Sequence, residues 1–141
     1  MSKTILITGG AGFIAHHLVD TILSDTDWNI VTLDRLDLSG NLNRLKEVLD
    51  KHQGSEKRVK FVFHDLKSQI NLQIKSNIGK IDYIAHLAAG SHVDRSINYP
   101  LEFVMDNVVG TANILDYARH LDSLDMFAYF STDEVFGPAP N

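Results

Sequence analysis

The chain has 141 residues, of which 44% are hydrophobic, so it is long enough to form one domain around its own core. Its formal net charge is −5 and its 13 lysines and arginines are scattered, which argues against nucleic-acid binding. It has no cysteine, which excludes disulfides and thiolate metal sites and suits the cytosol, and we predict no metal site.

Short apolar runs rich in isoleucine, valine and phenylalanine alternate with longer amphipathic segments. The predicted strands, each interpreted as buried on both faces, are residues 3–9, 29–34, 59–65, 81–89 and 126–132. The predicted helices are residues 12–24, 41–52 and 100–121. This alternation predicts an α/β fold with a doubly wound parallel sheet, because parallel strands need crossovers between them. The first strand starts at once and no apolar run is long enough for a membrane, so we expect no signal peptide and a cytoplasmic protein.

The segment after the first predicted strand is rich in glycine. Gly10, Gly12 and Ala15 form a Gly-x-Gly-x-x-Ala pattern at the start of a predicted helix, with Gly9 in front. Glycines let the backbone approach a pyrophosphate, and the free N–H groups of a helix N-terminus attract its charge. A dinucleotide site is therefore predicted, with a plain strand-to-helix turn as the alternative. No Gly-Lys-Ser/Thr follows, which excludes a P-loop.

The second predicted strand ends at Asp34, twenty-two positions after Gly12. This spacing is typical of an acidic residue that accepts hydrogen bonds from the adenosine ribose hydroxyls, which favours NAD over NADP. Arg35 could bind a 2′-phosphate, but Asp34 would repel that phosphate. We therefore interpret Arg35 as a solvated surface charge or as a side chain stacked near the adenine.

The third and fourth predicted strands are followed by different kinds of residue. Asp65 could meet the adenine amino group or could cap the following helix, and the sequence leaves both open. Residues 88–91 are small, so a flat ligand could lie against the backbone there. We interpret His86 and His92 as core or cap histidines, because no third ligand or nucleophile is suitably placed.

The fifth predicted strand ends in Thr132, Asp133 and Glu134. We expect these side chains to project into the crevice, where a hydroxyl and two carboxylates could orient a substrate and move protons. A strand end with solvated acids is the alternative. The first interpretation is favoured because polar or small residues follow all five strands, and these strand ends share one edge of the sheet.

Over its whole length the chain resembles the extended short-chain dehydrogenase/reductases, and within them the nucleotide-sugar 4,6-dehydratases, above all those of the dTDP-glucose type. The segments that carry the resemblance are TGGAGFIA, LDRLDLSGNL, HLAAGSHVDRSI, NVVGT and FSTDEVFG. The resemblance implies NAD as cofactor and a nucleotide-sugar substrate. It also implies a reaction in which C4 is oxidised, water is eliminated across C5 and C6, and the hydride returns to C6.

The resemblance further implies roles for individual residues. The pyrophosphate turn contains Phe13 and Ile14. The adenosine is surrounded by Asp34, Arg35, Leu36, Asp37, Asp65 and Leu66. The rest of the NAD groove is lined by Leu87, Ala88, Ala89, Gly90 and Ser91. The sugar also contacts Ser91 and Thr132, while Asp133 is the general acid and Glu134 the general base.

The chain departs from the family pattern at a few positions. The family usually has Glu where Gly90 stands, Thr where Asp106 stands and Tyr where Phe136 stands. Asp106 places an extra carboxylate near the cofactor groove, so we include it among the cofactor-binding residues. The Tyr-x-x-x-Lys segment that starts the oxidation, and the substrate domain, are absent from these 141 residues.

We therefore expect residues 1–141 to be an incomplete NAD-binding domain that is inactive alone. The alternatives are a stand-alone NAD-binding module and an NAD-dependent sugar epimerase of the same superfamily. The long helix predicted over residues 100–121 suits a homodimer, although its apolar stripe is equally explained by packing on its own sheet.

Overall fold

A computed structural model describes residues 2–137. Five parallel strands form a single sheet in the order β3-β2-β1-β4-β5. The strands are β1 (Thr4–Thr8), β2 (Asn29–Asp34), β3 (Val59–Phe63), β4 (Tyr83–His86) and β5 (Met126–Tyr129). The predicted doubly wound α/β fold is confirmed. The chain builds β2 and β3 on one side of β1 and then crosses to the other side, so the strand order reverses between β1 and β4.

Helices occupy the connections between the strands. They are α1 (Ala15–Asp25), α2 (Leu42–Lys51), α3 (Leu72–Ile78), α4 (Val93–Asn98), α5 (Pro100–Val104) and α6 (Gly110–Ala118). A π-helical segment, Met105–Val109, joins α5 to α6, and 3₁₀ turns cover Glu56–Arg58 and Asp133–Phe136. The helix predicted over 100–121 is therefore three consecutive helical pieces. No bounds were predicted for the short helices α3 and α4.

Local side-chain chemistry accounts for where several helices begin. Asn41 precedes α2 and its side chain accepts a hydrogen bond from the N–H of Asn43 at 2.9 Å. Asn71 does the same before α3, accepting from the N–H of Ile74 at 3.0 Å. Pro100 stands at the first position of α5, where its missing N–H costs no hydrogen bond.

The core lies on both faces of the sheet. One hydrophobic cluster joins β1 and β2 to α1 and α2, and the other joins the opposite face to α3 and α6. Strands β1, β2 and β4 are largely buried on both faces, as predicted. The same expectation was wrong for β3 and β5, where Phe63 is 62% exposed and Tyr129 is 55% exposed. Within residues 2–137 both are edge strands with a neighbour on one side only.

The parallel register aligns the carboxyl ends of all five strands along one edge. Thr8 pairs with Leu33 on one side and with His86 on the other, and His86 pairs with Tyr129. The ladder continues past the strand ends, since the N–H of Gly9 donates to the Leu33 carbonyl at 2.8 Å. The residues that follow each strand therefore meet on one rim.

Candidate functional site

A single cleft with a volume of about 620 Å³ runs along this rim and takes residues from every strand end. The sequence-predicted residues that line it are Gly9, Gly12, Phe13, Ile14, Asp34, Arg35, Asp37, Asp65, Leu66, Leu87, Ala88, Ala89, Ser91, Asp106 and Thr132. The predicted residues that do not line it are Gly10, Leu36, Gly90, Asp133 and Glu134. The structure thus brings most of the predicted site together in one place.

The glycine-rich turn fits closely against the neighbouring strands. Gly9 has a φ of +68°, and a Cβ there would lie 2.9 Å from the Cα of Ala88. A Cβ on Gly10 would lie only 2.4 Å from the Thr32 Cβ. The N–H of Gly12 donates to the Gly9 carbonyl at 2.8 Å and closes the turn. These glycines are therefore needed for packing of the turn itself, which also brings its backbone to the surface of the cleft.

Asp34 is fixed at the end of β2 with 8% of its surface exposed. Its Oδ2 accepts a hydrogen bond from the N–H of Ala11 at 3.0 Å, and its Oδ1 accepts from the N–H of Leu36 at 2.8 Å. A carboxylate has about four acceptor positions, so these two bonds leave capacity for hydroxyl donors from the cleft. A Cβ on Gly40 would lie 2.8 Å from Oδ1, so this glycine, which the sequence analysis missed, leaves the room that Asp34 occupies.

The loop after β2 holds an unusual backbone conformation. Leu36 has a φ of 55°, in the left-handed region that a non-glycine residue rarely adopts. The bond from its N–H to Asp34 fixes it, and Asp37 stabilises the next turn by accepting from the N–H of Ser39 at 2.9 Å. Partial burial raises the pKa of Asp37, but the Ser39 N–H and the Arg35 guanidinium together lower it below its usual value.

Arg35 lies inside an ion network in the cleft. Its guanidinium bonds to Asp106 through Nη1 at 2.5 Å and Nη2 at 2.7 Å, and to Asp37 through Nη2 at 2.6 Å. Asp65 and Lys67 complete the network, with Lys67 Nζ 3.5 Å from Asp65 and 3.8 Å from Asp106. The bond with Asp106 is the main reason that the pKa of Arg35 is raised. The interpretation of Arg35 as a solvated surface charge was wrong, because three carboxylates surround it.

Asp65 does not cap a helix, so that alternative was wrong. Its Oδ1 accepts from the N–H of Lys67 at 2.9 Å in a turn, and α3 begins seven residues later behind its own cap, Asn71. Leu66 is 7% exposed and packs in the core. The Asn113 side chain donates to the Leu66 carbonyl at 2.6 Å, which fixes this part of the cleft wall to α6.

The segment after β4 is held by two polar side chains that the sequence analysis missed. The Thr8 hydroxyl accepts from the N–H of Ala88 at 3.2 Å. Asn107 accepts from the N–H of Gly90 at 2.7 Å and donates to the Gly90 carbonyl at 3.0 Å. A Cβ on Gly90 would lie 2.9 Å from the Phe103 ring. Gly90 therefore lies close against α5 and the π-helical segment, and Ser91 is exposed on the cleft.

His86 is a core histidine, as predicted. It is 1% exposed, with Nδ1 2.6 Å from the Thr8 hydroxyl and Nε2 2.9 Å from the Thr111 hydroxyl. Burial lowers the pKa of His86 to about 4, so the ring is neutral at physiological pH. His92 precedes α4 and is exposed, but its side chain makes no capping hydrogen bond.

Thr132, Asp133 and Glu134 do not share one orientation. Thr132 lines the cleft, whereas Asp133 and Glu134 begin the 3₁₀ turn Asp133–Phe136 and are exposed to solvent. We expected all three side chains to project into the crevice. Of these three, all within the described residues, only Thr132 lines the cleft, because the backbone turns directly after it. The two carboxylates do not line the cleft.

Two further properties concern the described residues as a whole. None of the helices within residues 2–137 combines the length and apolar character that crossing a membrane requires. In the same part of the chain, histidines and carboxylates form no group of three or more that is arranged to hold a metal ion.

A doubly wound parallel sheet, a glycine-rich turn opening α1 and a fixed carboxylate after β2 together define the Rossmann-like fold of dinucleotide-binding enzymes. The model of the GDP-mannose 4,6 dehydratase family matches residues 6–141, and the chain belongs to this family.

Individual relatives agree with this assignment. The chain is 39% identical over 145 residues to dTDP-glucose 4,6-dehydratase from Escherichia coli, covering 97% of this chain and 39% of that protein. It superimposes with a TM-score of 0.82 and 32% identity on DesIV, the dTDP-glucose 4,6-dehydratase of Streptomyces venezuelae solved with NAD and TYD bound, covering 98% of this chain and 42% of that one.

The fold is shared with sugar epimerases. UDP-glucose 4-epimerase from Bifidobacterium longum, solved in complex with NAD+ and UDP, gives a TM-score of 0.82 at 25% identity over 96% of this chain and 38% of that one. The chain spans about two fifths of the length of the curated relatives it matches.

Proposed function

We propose that this chain is the NAD-binding part of a nucleotide-sugar 4,6-dehydratase of the dTDP-glucose type. The main support is the cleft itself, in which the glycine-rich turn and the fixed Asp34 face one space at the switch point of the sheet. The 39% identity to a dTDP-glucose 4,6-dehydratase supports the choice of reaction within the fold.

The residues of the cleft fit a dinucleotide. In this proposal the pyrophosphate lies against Gly12, Phe13 and Ile14 at the N-terminus of α1, where free N–H groups and the helix dipole favour its charge. Asp34 accepts from the ribose hydroxyls, and Asp65 lies beside the adenine. Leu87 and the small residues Ala88, Ala89 and Ser91 line the same cleft and offer a surface for the remainder of the cofactor.

Thr132, Asp133 and Glu134 are assigned to the sugar. When bound, NAD would supply the hydride acceptor for oxidation at C4 of the sugar and the hydride donor for C6. Once C4 carries a carbonyl group, its neighbouring C5 proton is acidic, and Glu134 removes it as general base. Asp133 donates a proton to the C6 hydroxyl, which leaves as water. Thr132 lines the cleft and orients the sugar by its hydroxyl group.

The exposure of Asp133 and Glu134 is consistent with this assignment only if other parts of the protein cover them. We assign that cover to a substrate domain, and the Tyr-x-x-x-Lys segment to the crossover that leads to the next parallel strand, because the chain spans about two fifths of its relatives' length. In this proposal residues 1–141 alone are inactive, and the whole protein is a cytoplasmic enzyme, and a homodimer, that binds neither nucleic acid nor membrane.

Calorimetric titration of the chain with NAD+ and with NADP+ tests the cofactor assignment. We expect saturable NAD+ binding that weakens roughly tenfold or more in Asp34→Asn, because a hydrogen bond to a charged group contributes about 1.5–3 kcal/mol. Asp50→Asn is the matched control, since Asp50 is an exposed carboxylate paired with Lys46 on α2. Absence of NAD+ binding in the unmodified chain would contradict the proposal.

The reaction is tested in the protein encoded by the complete gene, by following the 4-keto sugar formed from dTDP-glucose. Glu134→Gln should abolish product formation while transfer of the hydride to NAD+ remains visible as nicotinamide absorbance. Loss of both steps would count against the role of Glu134. A gene that ends at Asn141 would instead favour the stand-alone module.

A further inference from the structure

The Arg35 guanidinium forms ion pairs with carboxylates on two of its edges. Asp37 accepts hydrogen bonds from Nε at 2.9 Å and Nη2 at 2.6 Å, and Asp106 accepts from Nη1 at 2.5 Å and Nη2 at 2.7 Å. Four of the five guanidinium N–H groups are thereby used. The remaining one is on Nη1, which lies 3.7 Å from Asp65 Oδ1. Both edges of the guanidinium that can form two hydrogen bonds with one anion are therefore already used by carboxylates.

The ion pair with Asp106 is less exposed to solvent than the ion pair with Asp37. The Asp106 side chain is 14% exposed, whereas that of Asp37 is 41% exposed. A bidentate ion pair that is shielded from water is stronger, and has a better-defined geometry, than an exposed pair. Asp106 would also be left as a mostly buried carboxylate if Arg35 moved away, with only Lys67 nearby at 3.8 Å.

The position of Arg35 makes its ion pairs relevant to the choice between NAD and NADP. Arg35 directly follows Asp34, the residue assigned to the ribose hydroxyls, and both line the same cleft. A 2′-phosphate on that ribose would therefore arrive beside a guanidinium, the group best suited to bind it. It could do so only by displacing a carboxylate that already occupies the guanidinium.

We propose that Asp106 is a positioning residue that sets the preference for NAD over NADP by occupying the Arg35 guanidinium, so that this group is not available to a ribose 2′-phosphate. This inference rests on the proposed dinucleotide site. It differs from the direct role of Asp34, and it replaces the cofactor-binding role that the sequence suggested for Asp106, because Asp106 discriminates against the 2′-phosphate through Arg35.

The test uses the Asp106→Asn variant, which keeps the side-chain shape and removes the charge. Dissociation constants for NAD+ and NADP+ are measured by calorimetry at about 0.15 M ionic strength, since charge effects depend on salt. We expect NADP+ affinity to rise roughly tenfold, as for one released charge-assisted pair, while NAD+ affinity changes less than about twofold. The gain should vanish in the double variant Arg35→Ala/Asp106→Asn.

Asp116→Asn is the matched control, because Asp116 on α6 pairs with the exposed Arg119 directly after that helix and should leave both affinities unchanged. Asp106→Thr serves as the second variant if Asp106→Asn unfolds, as judged from its melting temperature. An unchanged NADP+ to NAD+ ratio in the folded variant, a gain that survives the loss of Arg35, or an equal loss of both affinities overturns the inference and leaves the NAD site standing. Failure of the unmodified chain to bind either dinucleotide overturns the proposed function and this inference together.

Discussion

Acidification should destabilise this protein through His86. The ring is 1% exposed and its folded-state pKa is about 4, below the 6.5 of an ordinary histidine. Between these two values the unfolded chain binds a proton that the folded chain excludes, so the free energy of unfolding falls as the pH falls. From about pH 7.5 to about pH 5 the loss from His86 alone is about 2 kcal/mol, and its limit below pH 4 is about 3 kcal/mol.

Urea unfolding of the unmodified chain and of His86→Gln at the two pH values isolates this contribution. The single tryptophan, Trp28, stacks on Tyr83 with ring centroids 4.6 Å apart and reports unfolding by fluorescence. Glutamine keeps one hydrogen bond to the flanking hydroxyls and cannot titrate. We expect the variant to be less stable at about pH 7.5 but to lose about 2 kcal/mol less on acidification.

His120→Gln is the control for this comparison. His120 is exposed on the surface after α6, so its replacement should preserve the full pH dependence of the unmodified chain. Equal losses on acidification in His86→Gln and the unmodified chain would refute the reasoning. If His86→Gln does not fold, proton NMR of the unmodified chain gives the answer directly, because a ring that titrates near its ordinary pKa is incompatible with the buried neutral state.

Two further substitutions test the walls of the cleft. Gly9→Ala should lower the free energy of unfolding by about 1–3 kcal/mol, because a Cβ would lie 2.9 Å from the Ala88 backbone. The loss should be larger than in Gly54→Ala, since Gly54 also has a positive φ but has nothing within 4 Å of a Cβ. Equal melting temperatures for the two variants would contradict this. Asn107→Ala should cost about 1–2 kcal/mol and speed amide hydrogen exchange at Gly90, whose two peptide groups it leaves unpaired; unchanged exchange at Gly90 would show that the segment is held by other contacts.

The fold was predictable because its signals are local. The β-branched runs, the glycine turn and the acidic residue after β2 each lie within one stretch of sequence, and the rule for parallel sheets then brings their ends together. The short helices α3 and α4 were missed because seven and six residues are too few to show a helical period. The exposure of β3 and β5 depends on their position in the sheet, which the apolar runs alone do not reveal.

The ion network of the cleft was beyond such local reasoning. Arg35 and Asp106 are 71 positions apart, and only the crossover to the second half of the sheet brings them into contact. Asp106 was noticed from the family pattern as an extra carboxylate near the groove, but its partner was not. Asn107 likewise reaches Gly90 across 17 positions, through the fold of the π-helical region.

The space around Gly90 makes the effect of a substitution at position 90 depend on the residue at position 106. A Cβ at this position would lie 2.9 Å from the Phe103 ring and 3.5 Å from Asp106 Oδ2. Introducing the glutamate of the family pattern at position 90 would therefore crowd the ring and set two carboxylates against each other while Asp106 remains. Exchange of Asp106 for threonine removes the second conflict first. We therefore expect Gly90→Glu to destabilise the Asp106→Thr variant less than it destabilises the unmodified chain.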